Sequence, residues 1–303
     1  MRLFTRSVVA AAGSAPIRRL VTGTRAGRAL ASRFVAGETL DQAMVVAKRL
    51  NRENLLVSLD LLGEEVTEPG AVEAAIAGYE RCLARIASDR IAGNISIKLT
   101  QLGLAFDHDR ARRGLERLAN AASHYGLTVT IDMEDSRYTE ATVDLYRAVQ
   151  PASGNLGIAL QAYLQRSRKD LEALVSLGGH IRLCKGAYVE PEEIAWQSKA
   201  EVDRSFADLL ETLMAAEVVK PAIATHDRQL IDLARNLAKD RRGPFEFQML
   251  YGVRPALQRQ LVGAGFQVRI YVPYGVAWYP YLVRRLAERP ANVGFFVRSL
   301  VAR

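Results

Sequence analysis

The chain has 303 residues, 49% of them hydrophobic, a mean hydropathy of −0.02 and a formal net charge of +8. That is apolar material enough for a sizeable core, yet no run approaches the roughly 18–20 apolar residues of a membrane-spanning helix. The charge also argues against a basic nucleic-acid groove across the fold, because residues 1–37 hold seven arginines and no acid while the rest holds 34 Lys+Arg against 33 Asp+Glu.

The arginines of that first segment are Arg2, Arg6, Arg18, Arg19, Arg25, Arg28 and Arg33, around a short apolar run at Val8–Ala12. Three readings stay open for it: a mitochondrial-type transit segment, an amphipathic contact with a membrane surface, or a basic helical lead-in. Thr39-Leu40-Asp41-Gln42 has the form of a capping box and predicts a helix over Met44–Leu50. From there one rhythm repeats, a β-branched apolar run followed by a polar turn and an amphipathic segment. The runs are Leu55–Leu61, Asn94–Leu99, Leu127–Met133, Leu156–Ala162, Ile181–Cys184, Ala222–Thr225, Phe245–Leu250 and Val268–Val272. Near-continuous apolar runs suit parallel strands buried on both faces.

Between them, Ala71–Arg90 and Asp109–Tyr125 carry helical spacing, the second ending at Gly126. A helix over Glu140–Val149 is expected to stop before Pro151, and one over Ser167–Leu177 at Gly178–Gly179. Pro191 is expected to open a long helix reaching Glu217. Strict alternation of this kind predicts an α/β fold of one domain, a (β/α)8 TIM-type barrel with an N-terminal helical lead-in. A doubly wound open sheet is the alternative, but no Gly-rich turn follows Leu61. Cys82 and Cys184 have no metal or redox spacing and read as buried thiols, and His108, His124, His180 and His226 form no ligand pattern.

The active site of such a barrel lies at the C-terminal ends of its strands. Those ends supply Asp60, Lys98, Asp132, Gln161, Arg182 with Lys185, His226 with Asp227, Gln248 and Tyr271. A purely structural barrel has no need of so many polar groups around one mouth. Plain readings stand beside each. Lys98 could simply reach solvent, and Asp132 could belong to an acidic turn feeding a helix N-terminus. His226-Asp227 could cap a helix, and Gln161 could be a buried amide. Arg182, inside the fifth strand, needs a strong partner. Gly186, after Lys185, suits either a tight turn or close approach to a phosphate or ring oxygen. Tyr281, Arg284, Arg285 and Glu288 share one face of a final helix, which is either a solvated Arg–Glu face or a seat for a small carboxylate.

Taken in order, these pieces resemble the proline dehydrogenase family, both the free-standing bacterial enzymes and the barrel domain of bifunctional proline utilisation proteins. The matching stretches are Ser96-Ile97-Lys98-Leu99, Ile131-Asp132-Met133-Glu134, Gln161-Ala162-Tyr163 and the run from Ile181 to Tyr188. Ala224-Thr225-His226-Asp227, Phe245–Leu250, Tyr271-Val272-Pro273 and Tyr281–Glu288 complete the set, which spans roughly residues 50 to 300. The resemblance implies a basic arm and lead-in over residues 1–50 and an FAD-binding barrel over 51–303. It implies non-covalent FAD above the mouth, contacted by Met133, Gln161, Lys185, Gly186, Ala187, Tyr188, Thr225, His226 and Glu288. Lys98, Arg284 and Arg285 would hold the carboxylate of L-proline, with Leu250, Tyr271 and Tyr281 walling its ring. Asp132 would organise that pocket, and Arg182 would lie near the flavin N5. Tyr271 would favour proline over hydroxyproline by crowding.

The same resemblance implies a membrane quinone as electron acceptor. It also implies a separate pyrroline-5-carboxylate dehydrogenase for the product, no nucleic-acid partner and no metal. The place of work would be the cytoplasmic face of the cell membrane, or the mitochondrial matrix and inner membrane if the arm is a transit segment. Two rival functions remain at this stage. A Schiff-base lyase would use Lys98 or Lys185 as nucleophile. A non-catalytic barrel would bind anions or nucleic acid through its basic arm.

Overall fold

The structure, a computed structural model, describes residues 19, 21–63 and 66–287. Among the described residues the lead-in holds α1 (Arg25–Ala31) and α2 (Leu40–Arg52). Then follow β1 (Leu56–Leu61), α3 (Pro69–Ser88), β2 (Gly93–Ile97), α4 (His108–His124), β3 (Val129–Ile131), α5 (Ser136–Ser153), β4 (Leu156–Gln161) and α6 (Ser167–Leu174). The second half holds β5 (His180–Cys184), α7 (Lys199–Ala215), β6 (Lys220–Ala224), α8 (Arg228–Leu237), β7 (Glu246–Leu250), α9 (Pro255–Gly263), β8 (Val268–Tyr274) and α10 (Trp278–Ala287). The eight strands pair in parallel and in chain order, and β8 closes on β1. Each apolar run of the sequence is a strand, within two residues at either end.

Two helix boundaries differ from expectation. α5 runs through Pro151 to Ser153 and stops at Gly154, whose φ of 68° gives the left-handed cap. The bond that Pro151 removes, to the carbonyl four residues before it, lies in the last turn, so any distortion is confined to the helix end. The segment after Pro191 is not helical. It turns back on the Pro191 carbonyl, and an isolated antiparallel bridge between Leu164 and Ala195 then ties it to the end of β4. Helix α7 begins only where Ser198 and Glu201 form a capping box. The Thr39–Gln42 capping box is present as expected at the start of α2.

The strands alternate more strictly than their apolar appearance suggests. Val57, Leu59, Ile95, Ile97, Ile158, Leu160, Ile181, Leu183, Phe247 and Ile270 join the main core. The residues between them, Ser58, Asp60, Asn94, Ser96, Thr130, Arg182, Glu246 and Gln248, are equally buried but polar. Some of their bonds join strands that are not neighbours: Arg182 on β5 reaches Ser96 on β2 at 3.0 Å and Gln248 on β7 at 2.6 Å. Such bonds cross the interior, so the barrel is filled with paired polar groups where branched aliphatics usually stand. Small residues make the room. A Cβ on Gly157 would lie 2.1 Å from the His180 ring, which Thr130 meets at 2.6 Å.

The lead-in decides where the last helix goes. α2 packs on β1 and β8 and buries Ala43, Met44, Ala47 and Leu50 in the main core, so it fills the outer slot between the first and last strands. α10 therefore packs on α1, in a separate cluster of Val21, Leu30, Phe34, Trp278, Tyr281 and Leu282. The chain between α1 and α2 crosses the C-terminal ends of β7 and β8. Ala36 N–H donates to Pro273 O at 2.8 Å, Gly275 N–H to Gly37 O at 2.9 Å, and Trp278 Nε1 to Glu38 at 3.0 Å.

That crossing can be tested at a glycine. Gly252 has φ +74° and a Cβ there would lie 1.7 Å from Arg33 O, whereas Gly126 has φ +64° and nothing within 4 Å. Gly126→Ala is expected to cost about 1 kcal/mol, the left-handed penalty alone. Gly252→Ala should cost well over about 2 kcal/mol by urea denaturation. Equal costs would contradict the docked crossing.

Candidate active site

At the C-terminal ends of the strands lies a cavity of about 720 Å³, a volume ordinary for small-molecule sites. Its floor is an ionic cluster set by the polar faces of β1, β2, β3, β5 and β8. Lys98 donates to Asp60 at 2.7 Å and stands 3.5 Å from both Asp132 and the Tyr271 hydroxyl. Asp132 pairs with Arg182 and accepts from Ser96 at 2.8 Å and from Tyr271 at 2.7 Å. The Arg182 guanidinium lies 5.4 Å from the Tyr271 ring centroid. Burial works against the Asp132 carboxylate, but the charges of Arg182 and Lys98 outweigh it and hold its pKa below the usual value. Asp60 is fully buried, and burial pushes it up despite the Lys98 charge. Burial also disfavours charge on Lys98, yet Asp60 and Asp132 keep it protonated.

Two cations and two carboxylates cancel in that floor. The rest of the lining is positive, with Lys185, Lys199, Arg228, Arg254, Arg284 and Arg285 against Asp227 among the described residues. α10 brings its arginines down onto the mouth. Burial raises the Tyr188 hydroxyl and the Arg284 charge opposes part of that rise, while the Arg285 charge acts on Cys184, whose thiol burial pushes up to about 11. Arg285 also stacks on the Tyr281 ring at 5.3 Å. An arrangement with surplus guanidinium above a neutral, rigid floor can seat a small anion and fix its orientation.

Every site residue expected from the sequence that falls among the described residues lines this one cavity: Lys98, Asp132, Met133, Gln161, Arg182, Lys185, Gly186, Ala187, Tyr188, Thr225, His226, Leu250, Tyr271, Tyr281, Arg284 and Arg285. Glu288 lies outside the described residues. Some details differ from the plain expectation. Lys185 lines the cavity but gives its ammonium to Asp203 at 2.5 Å and Asp227 at 2.8 Å. Gly186, at φ +114°, is needed by its packing, since a Cβ would lie 2.1 Å from the Tyr163 ring. His226 Nε2 accepts from Leu250 N–H at 3.1 Å, which leaves the ring proton on Nδ1, while Asp227 caps α8. Cys184 is half-buried on the cavity wall, unlike the fully buried Cys82. Asp132 stands clear of the acidic turn, where Asp135 caps α5 and Glu134 accepts from Thr100 at 2.6 Å.

A model of the proline dehydrogenase family matches residues 43–298. Proline dehydrogenase 1 of Bacillus subtilis subsp. natto is 38% identical over 282 residues, covering 92% of each chain. The chain belongs to the proline dehydrogenase family. The proline dehydrogenase of Deinococcus radiodurans is 37% identical and covered to 90% on each side. Among solved structures, proline utilization A from Bdellovibrio bacteriovorus, inactivated by N-propargylglycine, superposes with a TM-score of 0.83 at 22% identity over 94% of this chain. That likeness shows the fold, and the chain spans only 36% of that larger protein.

Lys199, Arg228 and Arg254 went unread in the sequence although they line the cavity. They stand in loops or first helical turns after the strands, and a reading confined to strand ends passes over them. Ser96 stands out in the sequence only as part of the Ser96–Leu99 stretch, yet it donates to Asp132 and accepts from Arg182.

The Lys98–Asp60 pair makes a stability prediction. Lys98→Met leaves a fully buried carboxylate without its cation and should cost about 3–5 kcal/mol in denaturant unfolding. The double variant Lys98→Met/Asp60→Asn leaves the Arg182–Asp132 pair balanced and should recover most of that loss. A double variant no more stable than Lys98→Met would show that the pair is not the coupled unit described.

Proposed function

We propose that this chain oxidises L-proline to Δ1-pyrroline-5-carboxylate, with non-covalent FAD as hydride acceptor and a membrane quinone as final electron acceptor. Family membership supports the proline oxidation, the first step of proline catabolism. The observation that carries the site assignment is the convergence of Lys98 from β2 with Arg284 and Arg285 from α10 on one cavity. In this reading the three cations hold the proline carboxylate, Tyr271, Tyr281 and Leu250 enclose its ring, and Asp132 keeps Lys98, Arg182 and Tyr271 in place. Fixing the substrate in this way removes several kcal/mol of orientational cost from the barrier, on the order of 7 kcal/mol at best.

The lining fits a flavin in its chemistry. Arg182 is only 6% exposed, and its Nη2 has no acceptor in the protein, which leaves a buried donor at the cavity floor for a ligand. Ala159, Ala224 and Met249 offer an apolar wall beside it. Met133, Gln161, Lys185, Gly186, Ala187, Tyr188, Thr225 and His226 would contact the cofactor. FAD supplies the two-electron acceptor for the hydride that leaves C5 of proline. Arg182 supplies a fixed positive charge where negative charge then builds up. The proline amine loses its proton to solvent, because the floor carboxylates are already committed to Lys98 and Arg182. Tyr271 crowds a ring carrying a hydroxyl and so favours proline over hydroxyproline. A separate dehydrogenase would consume the product.

No helix of the described residues is long and apolar enough to cross a membrane. Access to quinone is therefore proposed through a peripheral contact at the cytoplasmic face, made by the basic segment before residue 37.

Steady-state kinetics of Arg284→Met and Arg285→Met test the assignment. Each is expected to raise KM for proline by roughly 10²-fold or more, the loss of a bidentate charged contact, while the flavin stays bound. Unchanged KM in both would remove the arginines from the substrate site.

A further inference from the structure

We propose that Glu246 is a positioning residue for the reaction, acting through the Gln248 amide to aim Arg182 into the cavity. The inference rests on the proline and flavin reading of that cavity. Glu246 and Gln248 stand two apart on β7, so both side chains enter the barrel interior, where they are 2% and 4% exposed. Arg269 holds the Glu246 carboxylate with bonds of 2.6 and 3.1 Å and Lys220 with one of 2.8 Å. Burial opposes the charge, but these two cations outweigh it and keep the carboxyl ionised far below its usual range.

A carboxylate can only accept hydrogen bonds, so Gln248 must turn its amide nitrogen toward Glu246, at 2.7 Å. The amide carbonyl is thereby forced toward Arg182, where it accepts from Nε at 2.6 Å. Ser96, at 3.0 Å, and Asp132 take Nη1 of the same guanidinium. With two of the three nitrogens of a planar group fixed, the third has no freedom, and Nη2 is the one left without a protein acceptor. A neutral side chain at 246 removes the constraint, because it accepts or donates equally well. Gln248 then flips in part of the population, sets its N–H₂ against Nε–H, and the guanidinium swings.

The test uses the purified holoenzyme with Glu246→Gln and Gln248→Met, the second lacking the amide but leaving Glu246 with Arg269 and Lys220. In each, kcat should fall about 10- to 100-fold, the usual effect of a misplaced group. KM for proline should stay within about twofold, since Lys98, Arg284 and Arg285 are untouched. The flavin reduction potential, measured by dye equilibration without proline, should move negative by about 30 mV, a tenfold change for a two-electron couple. The double variant should be no worse than Gln248→Met alone, because both act on one path. Glu246→Gln should also lower the melting temperature, whereas Gln248→Met leaves the Glu246 ion pairs in place.

A lowered melting temperature in Glu246→Gln with wild-type kcat and potential would overturn the proposal, as would additive losses in the double variant. If Glu246→Gln fails to fold, Gln248→Met decides alone, and a wild-type potential there overturns it. A wild-type chain that takes up no flavin would instead overturn the reading of the cavity itself.

Discussion

An arginine cannot stand inside a barrel strand unless the barrel is built around it. Arg182 is buried, and moving a guanidinium from water to an apolar interior is costly without compensation. Asp132 supplies the counter-charge, and Ser96 and Gln248 take further donors. Asp132 in turn needs Tyr271 and Lys98, Lys98 needs Asp60, and Gln248 needs Glu246 with Arg269 and Lys220. One buried cation thus draws in polar residues on or at the end of seven of the eight strands. The aliphatic positions between them carry the outer core that makes the arrangement stable. The result is a rigid and electrically balanced floor, and rigidity of this kind is what a substrate-orienting site requires.

The second constraint is steric. Because α2 takes the slot between β8 and β1, α10 is free to pack on α1 beside the mouth and carry Tyr281, Arg284 and Arg285 to the cavity. A helix in the usual outer slot would face its arginines away from the strand ends. The lead-in is thus tied to the shape of the cavity, and the chain crossing between α1 and α2 fixes both helices to the ends of β7 and β8.

The barrel was legible in the sequence because eight short, mostly apolar runs alternate with amphipathic helical segments. Most of the cavity lining was legible because its residues end the strands. The interior polar network was not. Its bonds join residues 86 apart, as in Arg182–Ser96, and 175 apart, as in Arg269–Asn94, so that within any one strand the polar residue looks like an interruption. The boundary after Pro191 has the same origin, since a first-turn proline is expected there and only the Leu164–Ala195 bridge, a contact distant in sequence, ties the segment down instead. Pro151 was read as a stop signal, but the left-handed glycine three residues later ends the helix.

The most direct measurement of the whole account is an absorbance titration of the purified protein with L-proline in the absence of oxygen. Flavin bands are expected in the starting spectrum, bleaching as proline is added and returning when a quinone is supplied. A colourless protein, or a flavin that stays oxidised in excess proline, would contradict it.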